Sequence, residues 1–439
     1  MRLTVIGTGY LGATHAACMA ELGHEVLGVD VDPDKIAALQ SGSVPFYEPG
    51  LAELLAKHVA SGRLRFTTSY REAAGFADVH FSCVGTPQQP GGQGADLRYV
   101  DAVIESLAPH LDRPALVVGK STVPVGTAAR LAARLAELAP AGDRARLAWN
   151  PEFLREGFAV EDTLRPDRLV LGLADGDTGS EQLLREVYRP LLENEVPLVV
   201  ADFPTAELVK TAANAFLATK ISFINAMAEL CEAAGADVTR LSESLSYDPR
   251  IGGRFLHAGV GFGGGCLPKD IRAFRVRAEE LGVGPALAFL DEVDAINLRR
   301  RDRVMDLAAE LLPDGLAGRR IAVWGAAFKP DSDDIRDSPA LDLAARLHRA
   351  GASVSVYDPK AMDNARKLRP ELDYGTGPLE SAQGAELILH LTEWREFRAL
   401  DPQAVAAVVA RPQIIDGRNI LDRDGWRAAG WTFRSLGRQ

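Results

Sequence analysis

Five glycines within seven residues, Gly259-x-Gly261-x-Gly263-Gly264-Gly265, lead directly into Cys266, and Leu267-Pro268-Lys269-Asp270 follows. The glycines predict an approach without side chains, by which a ligand can come close to the thiol. Pro268 sits where the first turn of a helix tolerates proline, so Cys266 is expected at a helix N-terminus beside Lys269. Both features favour the thiolate, the form in which cysteine attacks carbon. Cys18, Cys83 and Cys231 fall in helical or strand patterns and are expected to be structural. With no C-x-x-C pair and no Cys/His cluster, neither a zinc site nor a disulfide framework is expected, and no other metal site.

A second chemistry opens the chain. Gly7-x-Gly9-x-x-Gly12 lies between a β-rich run, Arg2 to Ile6, and an alanine-rich helical stretch, and Asp30 ends the next strand pattern. In that context glycines let backbone approach a pyrophosphate, a helix N-terminus supplies N–H groups, and the acid accepts from ribose hydroxyls. Asp30 favours NAD over NADP, because a 2′-phosphate would meet a carboxylate; Lys35 nearby softens that preference. Three polar loops follow candidate strands, where ligands of open α/β sheets lie: Val84-Gly85-Thr86-Pro87, Lys120 to Thr127, and Asn150-Pro151-Glu152-Phe153-Leu154-Arg155-Glu156-Gly157. Further on, Lys210 and Asn214 stand at i, i+4, with Asn225 returning to their face, in a stretch that otherwise reads as buried.

The elements that must position these groups are legible in outline. Strands are expected at Val79–Val84, Ala115–Gly119, Leu147–Trp149 and Arg168–Leu173, with helical stretches between most of them. Ala206 to Ala234 lacks Gly and Pro for 29 residues and predicts one long helix. More helix is expected to about Leu312, and at Arg320 the opening pattern returns, with a helix over Leu341–Ala350 and a strand over Ala352–Asp358. The expected fold is α/β: two Rossmann-like doubly wound domains joined by a long central helix and a helical middle domain, divided as residues 1–200, 201–312 and 313–439. The second α/β domain lacks the full glycine fingerprint and need not bind a dinucleotide. Composition agrees: 439 residues, 47% hydrophobic, 25% charged, net charge −11. A net-acidic chain is a poor general nucleic-acid binder. No apolar run reaches the ~18 residues that span a bilayer, and no secretory signal opens the chain. A cytoplasmic protein without nucleic-acid or membrane partners is expected.

In this order the blocks resemble the UDP-glucose/GDP-mannose dehydrogenase family, over about residues 1–425. The resemblance implies an NAD-binding N-terminal domain, a homodimer built on the long helix, and a C-terminal domain holding the nucleotide of a sugar. The implied activity is four-electron oxidation of a sugar C6 hydroxyl to a carboxylate, with two hydrides passed to two NAD⁺. Asp248-Pro249-Arg250-Ile251-Gly252 with Phe255-Leu256 is more similar to the UDP-glucose branch than to the mannose branches. TDP-glucose, GDP-mannose and a UDP-N-acetylhexosamine stay open, as do a non-catalytic NAD-binding regulator and a two-electron 3-hydroxyacid dehydrogenase. By the resemblance, Cys266 is the nucleophile that forms a thiohemiacetal and then a thioester. Lys210 and Asn214 stabilise the oxyanion and position water, Glu152 serves proton transfer and thioester hydrolysis, and Asp270 is a supporting acid. Gly7, Gly9, Tyr10, Leu11, Gly12, Asp30, Lys35, Val84, Thr122, Glu156 and Arg336 would surround the cofactor. Glu152, Phe153, Leu154, Lys210, Asn214, Phe255, His257, Phe262, Gly263, Phe328, Lys329 and Arg418 would contact the substrate, with Arg250 reaching it across the dimer. Two positions depart from the family pattern: Gly265, where most relatives have Ser, and His257, often basic or amide.

Overall fold

Short apolar runs after each turn pair side by side into two sheets in the computed structural model, which describes residues 1–438. The first sheet holds β1 (Arg2–Ile6), β2 (Glu25–Val29), β3 (Leu64–Thr67), β4 (Val79–Ser82), β5 (Ala115–Gly119), β6 (Ala145–Trp149), β7 (Leu169–Leu173) and β8 (Leu198–Asp202). Its order is β3-β2-β1-β4-β5-β6-β7-β8. The strands of its centre are buried on both faces, as expected where helices cover a parallel sheet. Neighbours run parallel except at β6 and β7, which meet antiparallel at one pair, Trp149 with Gly172. Their connection spends its first residues on the Asn150–Gly157 loop and carries a helix of only 6 residues, Ala159–Leu164. That is too little to bring the chain back over the sheet for another parallel strand. Gly119 ends β5 because the Trp149 ring fills the space where its Cβ would stand.

The second sheet repeats the order. It holds β9 (Arg320–Trp324), β10 (Ser353–Tyr357), β11 (Asp373–Tyr374), β12 (Leu387–His390), β13 (Gln413–Asp416) and β14 (Thr432–Ser435), arranged β11-β10-β9-β12-β13-β14, all parallel. In both sheets the order reverses beside the first strand, at the point where open α/β sheets bind ligands.

The long helix runs Phe203–Ala234, three residues earlier than its Gly/Pro-free core suggests. Pro204 falls in its first turn, where a missing N–H costs nothing, and Asp202 accepts from Thr205 N at 2.8 Å to cap the start. Further helices span Val238–Ser246, Leu267–Glu280 and Phe289–Leu311. The chain divides into two units: Met1–Ala213 with Arg272–Gly282, and Asn214–Ile271 with everything from Val283 on. Among the described residues, no helix is long and apolar enough to cross a membrane.

Candidate active site

In the first unit, four loops leave the carboxyl ends of β1, β4, β5 and β6. The turn after β1 needs its glycines for different reasons. Gly7 has φ +87° and packs under Val84; a Cβ on Gly12 would run into the Gly7 carbonyl; Gly9 faces open space. The helix Tyr10–Glu21 begins at Gly9 with no side-chain cap, so its first N–H groups stay available to an anion. Asp30, 8% exposed, accepts on Oδ2 from Thr8 N, Thr8 Oγ1 and Lys35 Nζ at 2.9, 3.0 and 2.9 Å. Burial alone would raise its carboxyl; Lys35 and the N–H groups of Thr8 and Asp32 outweigh burial and hold it below the usual range. A clear pyrophosphate approach, an uncapped helix and an ionised acid at the ribose position fit NAD. Leu11 and Tyr10 follow Gly9 half-buried.

The other loops are tied together. Ser121 donates to the Val84 carbonyl at 2.6 Å and Thr86 to the Thr122 carbonyl at 2.7 Å. Buried Lys120 donates to Asn150 Oδ1 at 2.9 Å, which also accepts from Tyr188 at 2.6 Å. Burial pulls the Lys120 ammonium down. In the next loop Glu152 accepts from Leu154 N at 2.6 Å and pairs with Lys210 at 3.1 Å. Lys210 also faces the Phe153 ring, its Nζ 5.7 Å from the centroid. Glu156 is half-buried near the end of the loop. Three residues before Lys210, buried Glu207 accepts from Gly126 N and Ala128 N at 2.7 and 2.6 Å, fixing the loop that carries Thr122. Burial raises its carboxyl.

In the second unit Cys266 stands immediately before the helix Leu267–Glu280, its carbonyl accepting from Asp270 N at 3.0 Å. It is exposed, whereas Cys18, Cys83 and Cys231 are buried. Burial pushes the thiols of Cys18 and Cys83 up to about 12. One turn on, Asp270 is 3% exposed, accepting from Asn214 at 2.6 Å and pairing with Lys269 at 2.5 Å. Asn225, on the same helix as Asn214, accepts from Gly259 N at 2.9 Å.

The glycine run before Cys266 does not have the role expected of it. The Cβ positions of Gly259, Gly261, Gly263, Gly264 and Gly265 are filled by Gly417, Asn297, Asp337 with Pro339, the Phe328 ring and the Arg336 guanidinium. These glycines admit the unit's own atoms rather than leaving a path for ligand. At Gly265 the neighbour is the far end of a flexible side chain: the Arg336 guanidinium, 62% exposed and paired with Asp334 at 2.6 Å, has only to shift to admit a serine. Arg418, expected at the substrate, donates to the carbonyls of Leu391, Gly261 and Phe328 at 2.7, 3.0 and 3.1 Å, so it staples the loop. Phe262 and Gly263 are buried, His257 is exposed, and Phe255 takes φ +65°. Lys329 lies 5.6 Å from the Phe328 ring. Arg250 points outward, its side chain 88% exposed and paired with Asp248 at 2.7 Å.

Sequence reasoning passed over Glu48, Glu207 and Asp416, all buried carboxylates that organise backbone, and took Asp358, equally buried, only as the acid that ends a strand before Pro359. Asp416 accepts from Arg418 N, Ile420 N, Leu421 N and His390. Glu207 was within reach, one turn from Lys210 on the long helix. Glu48 binds the N–H groups of Gly157 and Ala159, far away in sequence, which no local pattern marks; Asp416 takes N–H groups two to five residues ahead, in a stretch whose strand was itself not anticipated.

Models of the UDP-glucose/GDP-mannose dehydrogenase family match the chain in three successive parts: the NAD binding domain over residues 1–192, the central domain over 204–299 and the UDP binding domain over 322–423. The chain is 44% identical over 438 residues to the UDP-glucose 6-dehydrogenase of Rhizobium meliloti, covering 100% of both. It is 41% identical over 448 residues to that of Pseudomonas aeruginosa, covering 100% of this chain and 98% of the relative. The solved structure of a UDP-glucose dehydrogenase from the hyperthermophilic archaeon Pyrobaculum islandicum matches with a TM-score of 0.91 at 38% identity, over 100% of this chain and 98% of that one.

Proposed function

The chain belongs to the UDP-glucose/GDP-mannose dehydrogenase family, and from that premise we propose that it oxidises the C6 hydroxyl of UDP-glucose to the carboxylate of UDP-glucuronate with two NAD⁺. The observation that carries the chemistry is Cys266, an exposed thiol at a helix start in a chain whose other three cysteines are buried. When bound at the Gly7–Gly12 turn, NAD⁺ supplies the hydride acceptor for each of two oxidations. The alcohol first loses a proton and a hydride to become the aldehyde. The Cys266 thiolate then adds to the aldehyde carbon, so the reactive intermediate never leaves as a free aldehyde. Loss of a second hydride turns the thiohemiacetal into a thioester, and water releases the carboxylate and the thiolate. Lys210 and Asn214, one turn apart on the long helix, stabilise the oxyanion of each tetrahedral stage. Glu152, held by Lys210 and the Leu154 N–H, takes the proton of the attacking water, and Asp270 keeps Asn214 oriented.

The proposal extends to assembly. Phe216, Phe223 and Leu230, spaced by seven on the long helix, are 65%, 48% and 61% exposed. From the same stripe Lys220 donates to the carbonyls of Ile251 and Gly252 at 3.0 and 3.2 Å, anchoring the loop that presents Arg250. A second copy on this stripe covers the apolar side chains and receives Arg250 at its nucleotide sugar. Three parts with separate tasks follow: NAD binding to about residue 200, helical middle to about 312, sugar-nucleotide binding beyond. Four free cysteines suit a reducing compartment, and the proposal places the enzyme in the cytoplasm.

The test is stoichiometric. Each UDP-glucose should yield two NADH, ahead of TDP-glucose, GDP-mannose and UDP-N-acetylhexosamines in kcat/KM, and Cys266→Ser should slow acid formation by orders of magnitude. One NADH with free aldehyde, or acid made by Cys266→Ser at the unaltered rate, refutes the covalent route.

A further inference from the structure

Glu48 lies in the connection between β2 and β3, away from the loops that carry the reaction, yet it is 5% exposed and three donors converge on it. Its Oε2 accepts from Gly157 N at 2.7 Å and from the Tyr10 hydroxyl, and its Oε1 accepts from Ala159 N at 2.7 Å. Gly157 N also lies 3.1 Å from the Tyr10 hydroxyl oxygen. Tyr10 is the residue after Gly9 in the dinucleotide turn, and the Phe46 ring packs on it at 5.0 Å. Burial first, and the Glu48 carboxylate second, push its phenol up, so it remains an O–H donor.

Gly157, at φ +80°, ends the loop that begins at Asn150 and carries Glu152 and Glu156. The loop is therefore pinned at both feet. Asn150 holds the first, through Lys120, Tyr188 and the Val170 carbonyl. Glu48 holds the second, and through Tyr10 ties it to the turn that receives the pyrophosphate. A carboxylate is what three donors require, since both of its oxygens only accept. Glutamine has nearly the same shape but turns one oxygen into an NH₂ facing an N–H, so at least one foothold is lost.

We propose that Glu48 is a positioning residue for the reaction, locking the Glu152 loop to the dinucleotide turn so that the water-activating carboxylate stands in register with the thioester. This rests on the reading of Glu152 given above. A misplacement of about 1 Å costs up to about 10²-fold in rate, so Glu48→Gln should lower kcat by about 10- to 100-fold. The loss should fall on hydrolysis, with a substrate adduct accumulating on Cys266 in intact-mass spectra while NADH binding, read by fluorescence, stays within a few-fold of the unaltered enzyme. Tyr10→Phe removes one hydroxyl and should show the same signature more weakly. The double variant should be no slower than Glu48→Gln alone, because both act through one contact.

Wild-type turnover by Glu48→Gln, or a slow variant without adduct whose defect follows thermal instability alone, overturns the proposal. If Glu48→Gln does not fold, Tyr10→Phe decides: slowed hydrolysis with adduct supports the lock, and unaltered hydrolysis refutes it. Glu152→Gln run alongside separates the two levels. Adduct in Glu152→Gln but in neither clamp variant refutes the lock and leaves the Glu152 assignment standing. Adduct in none of them refutes the Glu152 assignment and the lock built on it together.

Discussion

Replacing Lys210 by Met tests whether the Lys210–Glu152 pair is a working charge pair or a surface accident. The two groups are 3.1 Å apart, with side chains 6% and 14% exposed. Removing one partner of a buried pair strands the other charge and costs about 3–5 kcal/mol. Glu152 keeps the Leu154 N–H at 2.6 Å and a little solvent, which argues for the lower end, about 3 kcal/mol. For a unit of about 200 residues, 1 kcal/mol moves Tm by about 2–4 °C, so the first unit should melt about 6–12 °C lower. Met keeps the stem that packs near Phe153, so the loss reports charge rather than volume. Adding Glu152→Gln removes the stranded carboxylate and should restore most of that Tm, because a neutral pair of similar volume is close to cost-free. With the role proposed for Lys210, activity should not return in the double variant, since loss of one oxyanion donor alone costs about 10²–10³ in rate. Calorimetry and NADH production read the two effects separately. Lys210→Met melting within about 2 °C of the unaltered protein, or a double variant melting below the single one, would refute the buried-pair reasoning.

His80 gives a pH test. It is fully buried, bonded to Thr4 Oγ1 at 2.7 Å, and burial pulls its imidazole down to about 4 from 6.5. The unfolded chain therefore takes up the proton first: the contribution is complete above pH 6.5 and is lost as pH falls towards 4, amounting to about 3 kcal/mol. His15, likewise pulled down by burial, adds to the same slope, and His80→Asn should flatten it only in part; parallel Tm-versus-pH curves for the two proteins would contradict this. Arg250 tests the assembly: mixed dimers of Arg250→Ala and Cys266→Ala should regain activity in one of two sites, and a mixture no more active than its parents would place Arg250 in its own subunit's site or in none.

Much of the frame was legible because it rests on local rules. Gly7, Gly9 and Gly12 between a strand and a helix, the Gly/Pro-free long helix and the return of the pattern at Arg320 each reflect backbone requirements that neighbouring residues meet. Strands β3, β8 and β11 to β14 were not anticipated. β8 is an edge strand with Val199 and Val200 exposed, so its alternation marks no core face, and β11 is two residues long. Cys266 stood out by its glycines and by its helix start; the helix start is there, but the reason for the glycines was misjudged: sequence shows where side chains are missing, not which atoms occupy the space. Arg418 is a related case, because three of its five donors go to carbonyls of its own unit, which the letter alone does not show.

The two sheets make that limit concrete. Each has a second strand followed by an aspartate, Asp30 after β2 and Asp358 after β10, with proline close behind. In the first, Oδ2 takes three donors while Oδ1 takes only Asp32 N at 3.2 Å, so a lone pair remains for a ribose hydroxyl. In the second, Oδ2 accepts from Ala326 N, Ala327 N and Trp394 Nε1 at 2.8, 3.0 and 3.1 Å, and Oδ1 accepts from Lys360 N and Ala361 N at 2.9 Å each. Asp358 is 1% exposed and committed to its own loops. One strand-end signature thus leaves an acceptor open in one sheet and becomes a structural knot in the other. The decision lies with Trp394 and with Ala326 and Ala327, which stand after Gly325 where the first sheet has Thr8 and Gly9. A single change at Asp358 should therefore cost stability of the second unit, while a change at Asp30 is felt by the dinucleotide.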